Sequence, residues 1–181
     1  MSRKAFSITA QYESNIDRYL SHGALPEKLN LSYTKFQDLR YGENPQQQSS
    51  VYVDGSAYGI LNSRIHQGKQ LSYNNIMDGD AAVSCLTEFN DPGCVVIKHA
   101  NPCGAAISDN IDNAFTRAIE ADKLSAFGGI IALNRECTKF IANYLNNFFV
   151  EIIIAPAFSK GALDTVSYTH LRAHETSLHL V

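Results

Sequence analysis

Lys98 and His99 sit side by side at the end of an apolar run in "CVVIKHANPCGAAI", residues 94–107, and an Asn-Pro-Cys-Gly turn is expected to follow. An imidazole can take a proton from a weakly acidic amine as that amine attacks a carbonyl. An ammonium beside it can stabilise the negative charge that develops on the carbonyl oxygen. Asn101 adds an amide that donates or accepts, and Gly104 allows close backbone approach. Adjacent strand residues point to opposite faces, so two polar side chains at a buried strand's end cannot both face a core. A strand that simply surfaces into water explains the dipeptide as well as catalysis does.

Three further stretches carry usable chemistry. In "LRYGENPQQ", residues 39–47, Arg40 can fork onto a phosphate or carboxylate and Tyr41 can stack a base. An ordinary solvent-facing Gly-Glu-Asn-Pro turn is the competing explanation. In "SAFGGIIALNRE", residues 125–136, Ser125 offers a hydroxyl, Phe127 a stacking surface and Gly128-Gly129 a place for backbone to meet a ligand. Two glycines easing a tight strand entry would look the same. "QGKQLSYNNIMDGDAA", residues 67–82, groups Gln67, Lys69, Ser72, Asn74 and Asn75 at a helix start. Such termini bind anions, yet a cap rich in Ser and Asn is usually structural.

The elements that must position these residues alternate along the chain. The period of Phe6, Ile8, Tyr12, Ile16 and Tyr19 predicts a helix near the start. Strands are expected in "LNLSYTKFQDL" and "SSVYVDG", and a helix from Tyr73 or Asn74 to Phe89, ended by Asp91-Pro92-Gly93. Then come "CVVIKH" as strand, "GAAIS" as strand, a helix capped by Asp109, "FGGIIALN" as strand, "ECTKFIANYLNNF" as helix and "VEIIIAP" as strand. Unbroken Val and Ile runs mark strands covered on both faces. The chain is therefore read as α/β, with a mixed sheet between helices. Ligands of open α/β sheets bind beyond the carboxyl ends of strands, where Lys98-His99, the Ser125–Gly129 loop and Glu151 are expected.

Composition narrows the classes. The chain has 181 residues and a net charge of −3, with no basic block to predict nucleic acid or an acidic membrane surface. Its longest apolar runs are too short to span a bilayer, and its start lacks a signal-peptide pattern. The four cysteines, at 85, 94, 103 and 137, form no CxxC pair and read as thiols of a reducing cytoplasm. From about Val166 the composition shifts to "VSYTHLRAHETSLHLV", which holds three of the six histidines and no clear period. It resembles adapter or vector read-through at the end of a partial reading frame; a His-rich metal tract is the alternative. The domain is therefore drawn at 1–165, with 166–181 as a non-native tail.

In this order, "LRYGENPQQ", "QGKQLSYNNIMDGDAA", "CVVIKHANPCGAAI", "SAFGGIIALNRE" and "FFVEIIIAP" resemble the bifunctional purine-biosynthesis enzymes with AICAR transformylase and IMP cyclohydrolase activities. The likeness runs from about Arg3 to Thr165 and covers the first half of the transformylase region. It implies a cytidine-deaminase-like layered fold, one of two copies in the full enzyme. It implies formyl transfer from 10-formyltetrahydrofolate to the 5-amino group of AICAR without a metal, in a cytoplasmic homodimer whose site is shared between subunits. By motif position, Lys98 matches the transition-state-stabilising lysine and His99 the proton acceptor. Arg40 and Tyr41 match the residues that hold the nucleotide, Gly128 a backbone contact to it, and Glu151 the place of a substrate-binding Asp in some members. Asn101 is a neighbour of that site.

The resemblance has gaps. Gln46 stands where the family usually has a His, and an amide carries no proton at neutral pH. The cyclohydrolase domain and the second transformylase half are missing, so a fragment lacking groups for turnover is expected. Two other classes follow from this. A zinc nucleobase deaminase shares the implied fold, but it needs His-x-Glu and Pro-Cys-x-x-Cys, which "HANPCGAA" does not supply. The other is a non-catalytic half-domain that binds nucleotide or dimerises without turnover.

Overall fold

The computed structural model describes residues 2–22, 25–55, 60–68, 70–166 and 172–175. Contacts divide the chain into two units, 1–37 with 50–56, and 38–49 with 57–181. The first holds helix α1 (Ser2–Leu20) and the strand pair β1 (Thr34–Asp38) and β2 (Ser50–Val53). The predicted period is present in α1, but the helix has no buried residue; Tyr12 is 64% exposed and Tyr19 78%. Polar side-chain bonds tie it to the segment that follows. Ser14 donates to the Asn30 carbonyl at 3.2 Å, and the Asn30 amide donates to Asp17 at 2.8 Å.

The second unit is built on a six-stranded sheet. After a single 3-10 turn (Ile60–Asn62) come β3 (Arg64–Gln67), α2 (Tyr73–Leu86), β4 (Gly93–Lys98) and β5 (Asn101–Ile107). Next are α3 (Ile111–Ala121), α4 (Lys123–Ala126), β6 (Ile130–Leu133), α5 (Lys139–Leu145), β7 (Ile152–Ala155), α6 (Lys160–Val166) and β8 (Arg172–Glu175). The spatial order is β3-β8-β7-β6-β4-β5. β6, β7 and β8 run parallel, whereas β4 is antiparallel to both β5 and β6, and β3 to β8. The sheet is mixed, as the alternation of strands and helices led us to expect.

Strand alternation explains why those runs are unbroken. Cys94, Val96, Ile131, Leu133, Ile153 and Ala155 pack on one face with Phe115 and Ile119 of α3 and Ile141 of α5. Val95, Ile97, Ile130, Ala132, Ile152 and Ile154 pack on the other with Ala82, Val83 and Leu86 of α2. Each central strand residue therefore enters an apolar layer whichever way it points. Helices cover both faces, α2 on one and α3, α5 and α6 on the other.

Several local expectations are corrected. α3 is capped by Asn110, whose side chain accepts the Asn113 N–H at 2.9 Å. Asp109 instead accepts from the Asn113 amide at 3.0 Å and from the Asn110 N–H, and these bonds hold its carboxyl below the usual range. Asn101-Pro102-Cys103-Gly104 is not the turn but the first part of β5. Gly104 makes room for protein rather than ligand, since a Cβ there would stand 2.0 Å from the Ala118 carbonyl oxygen of α3. β8 lies inside the stretch without a strand period. Its neighbours β7 and β3 pair with it along the backbone, a source of order that periodicity does not register.

Candidate active site

The site begins at the β4–β5 hairpin. Lys98 pairs with Asn101, which leaves His99 and Ala100 as a two-residue turn. Their φ angles are 53° and 56°. Two consecutive left-handed residues fit the twist of a tight hairpin, but that geometry normally selects Asn and Gly. For side-chain-bearing residues it costs on the order of 1–2 kcal/mol each. Strand alternation consequently does not set the direction of His99, contrary to the expectation drawn from its neighbour. The left-handed turn sets it.

Polar contacts hold the hairpin in place. Lys98 Nζ donates to the Phe127 carbonyl at 2.9 Å, which fixes the ammonium over the loop before β6. The Asn101 amide donates to the His99 carbonyl at 2.8 Å. The Ala100 N–H is donated to Asp78 Oδ1 of α2, also at 2.8 Å. Lys98 is half-buried and His99 and Asn101 are exposed, so reactive groups face solvent on a buried strand.

The loop that receives Lys98 continues the site. Ser125 lies in the short helix α4 rather than in a loop, and Asp122 caps it by accepting the Ser125 N–H at 3.0 Å. Hydrogen bonds from Ser125 hold the Asp122 carboxyl below the usual range. Gly128 has φ +75°, a conformation side chains resist, and donates its N–H to the Phe149 carbonyl at 2.8 Å. Gly129 is needed for packing, because a Cβ would stand 2.9 Å from the Ile97 carbonyl oxygen. Phe127 and Phe149 are exposed, with ring centroids 5.6 Å apart. Together they make an aromatic surface beside the Lys98 anchor.

Glu151 closes the row. Its N–H is donated to the Gly129 carbonyl at 2.9 Å, and its carboxylate accepts from Asn75 Nδ2 at 2.5 Å. Asn75 also makes a reciprocal cap with Ser72 at the start of α2. The same helix start receives the Arg40 loop. Arg40 N–H donates to the Leu71 carbonyl at 3.0 Å, Tyr73 N–H to the Tyr41 carbonyl at 3.2 Å, and the Asn74 amide to the Glu43 carbonyl at 3.1 Å. Gln70 donates to the Asp38 carbonyl at the loop's base. The Arg40 guanidinium sits 4.6 Å from the Tyr41 ring centroid and donates to its hydroxyl at 2.8 Å. This forms an exposed cation beside a half-buried ring.

The four constellations thus meet along one edge of the sheet. Lys98 and His99 are at the carboxyl end of β4, as expected. Gly128 and Glu151 precede β6 and β7, at their amino ends, not the carboxyl ends. The antiparallel step between β4 and β6 brings these opposite ends to the same edge. Sequence reasoning placed Asn75 only in a cap and missed Asp78 and Phe149. Asn75 and Asp78 are three residues apart on α2 and so share its face towards the edge; that spacing was the available signal. Lys69 lies outside the described residues, and among those described no group of three or more His, Cys, Asp or Glu could hold a metal ion.

A family model for the AICARFT/IMPCHase bienzyme matches residues 1–173. The match takes in both units, every strand from β1 to β7 and all the site residues named above. It also agrees with the motif resemblance in the sequence. The chain belongs to the AICARFT/IMPCHase bienzyme family.

Proposed function

We propose that this chain carries the nucleotide-facing part of an AICAR formyltransferase site, within a longer purine-biosynthesis enzyme. In this reading 10-formyltetrahydrofolate is the donor, and the acceptor is the 5-amino group of AICAR. The observation that carries it is the hairpin: an ammonium anchored on the Phe127 carbonyl stands next to an exposed imidazole on a left-handed turn. Both lie on the edge that also holds Gly128 and Glu151.

His99 accepts a proton from the 5-amino group as its nitrogen attacks the formyl carbon, and the folate nitrogen that leaves takes up a proton in turn. Lys98 gives one donor to Phe127 and has others for the formyl oxygen as negative charge develops there. Arg40 and Tyr41 hold the nucleotide by charge and stacking. The Gly128 backbone, Asn101 and Glu151 orient its polar edge, with Glu151 itself held by Asn75. The exposed Phe127 and Phe149 rings suit a flat heteroaromatic donor, which is the fit this surface offers to folate. The same reading includes a cytidine-deaminase-like layered fold and a cytoplasmic homodimer sharing the site.

Calorimetric titration of AICAR into the chain tests the nucleotide part. Binding is expected, with Arg40→Ala weakening it at least tenfold, about 1.4 kcal/mol. An unchanged Kd in Arg40→Ala would remove the Arg40 loop from the site.

A further inference from the structure

The His99–Ala100 turn has a support that lies outside its own hairpin. Both residues are in the left-handed region and neither is glycine, so the two-residue turn is not favoured by its own sequence. The Asn101 amide bonds the His99 carbonyl, but it comes from the same hairpin and moves with it. The other bond runs from the Ala100 N–H to the carboxylate of Asp78, 22 residues away on α2. A charged acceptor on a backbone N–H makes a strong, directional bond. Three residues earlier, the same helix holds Glu151 through Asn75. α2 is fixed over the sheet by Ala82, Val83 and Leu86, and by a close approach at Gly79, where a Cβ would stand 2.3 Å from Ile60. One rigid helix therefore holds both the turn and the Glu151 wall.

We infer that Asp78 is a positioning residue. It locks the His99–Ala100 turn in its left-handed form and so sets where the His99 imidazole stands relative to Lys98 and Glu151. The catalytic significance of that position rests on the formyl-transfer reading above; the locking itself does not. Asp78 acts through Ala100 and needs no contact with substrate. An Asn in its place keeps an acceptor but loses the charge, whereas Ala loses both. A glycine at 100 adopts positive φ readily, so it lessens the turn's need for Asp78.

The test is NMR on the chain and on Asp78→Asn, Asp78→Ala and the double variant Asp78→Ala/Ala100→Gly. Its readouts are the exchange rate of the residue-100 amide and the ring signals of His99, with the amides of Ile152–Ile154 as an internal control. The Ala100 amide is expected to be protected in the parent chain and to exchange at least tenfold faster in Asp78→Ala. His99 ring shifts should move at the same time while the control amides hold. Asp78→Asn, which keeps an acceptor but loses the charge, should exchange at a rate between the parent and Asp78→Ala with smaller His99 shifts, and the double variant should bring the His99 ring shifts back towards the parent. Equal protection in parent and Asp78→Ala with unmoved His99 signals would overturn the inference. If Asp78→Ala does not fold, the Asp78→Asn variant decides: no increase in Ala100 exchange and no His99 shift would overturn it. These readouts need no turnover, so a failure of formyl transfer counts against the proposed reaction and a failure of protection against Asp78.

Discussion

The residues at the sheet edge are held more tightly by backbone than by one another. Lys98 is anchored on a carbonyl, the His99–Ala100 turn on a carboxylate, and Gly128 by its own N–H on Phe149. Backbone geometry at two or three positions therefore decides where the reactive side chains stand. Gly128 is a direct case. Its φ of +75° would strain any side chain, while an added Cβ would stand 3.7 Å from the nearest Phe149 atom, in ordinary contact. Gly128→Ala should cost about 1–2 kcal/mol in urea denaturation through the backbone alone. A variant as stable as the parent would show that the loop adopts another conformation. The residue chemistry of the site was legible early: Lys98, His99, Arg40, Tyr41 and Glu151 stand out by type. The left-handed turn was not, because His-Ala carries none of the Asn-Gly signal by which such turns are recognised.

At the scale of elements, packing accounts for several glycines that looked like ligand contacts. Gly104 lets α3 lie against β5, and the clash an added methyl would make is with backbone that cannot rotate away. Gly104→Ala should destabilise the chain by about 3 kcal/mol, read as a lower denaturation midpoint at unchanged m-value. A loss under 0.5 kcal/mol would mean that α3 is not seated as described. Helices α2, α3 and α5 and strands β4, β6 and β7 were readable because cap residues and apolar periods both mark them. β3, α4 and α6 went unread. Their sequences, RIHQ, KLSA and KGALDTV, carry no apolar run of the kind that marks the equally short β6 and β7, and their neighbours hold them in place. Gly128 and Glu151 were expected beside Lys98, but that they come to this edge by the amino ends of their strands was out of reach. It depends on β4 running against β6, which no local pattern encodes.

For the second unit as a whole, the two apolar layers and the thiols within them set its response to solvent. Cys94 and Cys137 are buried, and burial pushes both thiols up, Cys137 to about 12 from an ordinary 9.0. Below pH 9 folded and unfolded chains both keep these protons. As pH rises beyond 9 the unfolded chain loses them first, so stability falls towards the folded-state value. Cys137 alone should remove about 2 kcal/mol by pH 10.5, and Cys137→Ala should remove that part of the pH dependence in urea denaturation at pH 8 and 10.5. At pH 8 a thiol reagent should modify Cys85 and Cys103, which are half-buried, well before Cys94 and Cys137. Rapid labelling of all four would contradict the described core. The central claim is that the hairpin at the sheet edge carries proton transfer during formylation, and its most direct measurement is His99→Ala in the longer enzyme to which the proposal assigns this chain. With saturating AICAR and 10-formyltetrahydrofolate, kcat should fall by about 10²–10⁴-fold while the Kd for AICAR stays within about twofold. Near-parental kcat in His99→Ala would contradict the account.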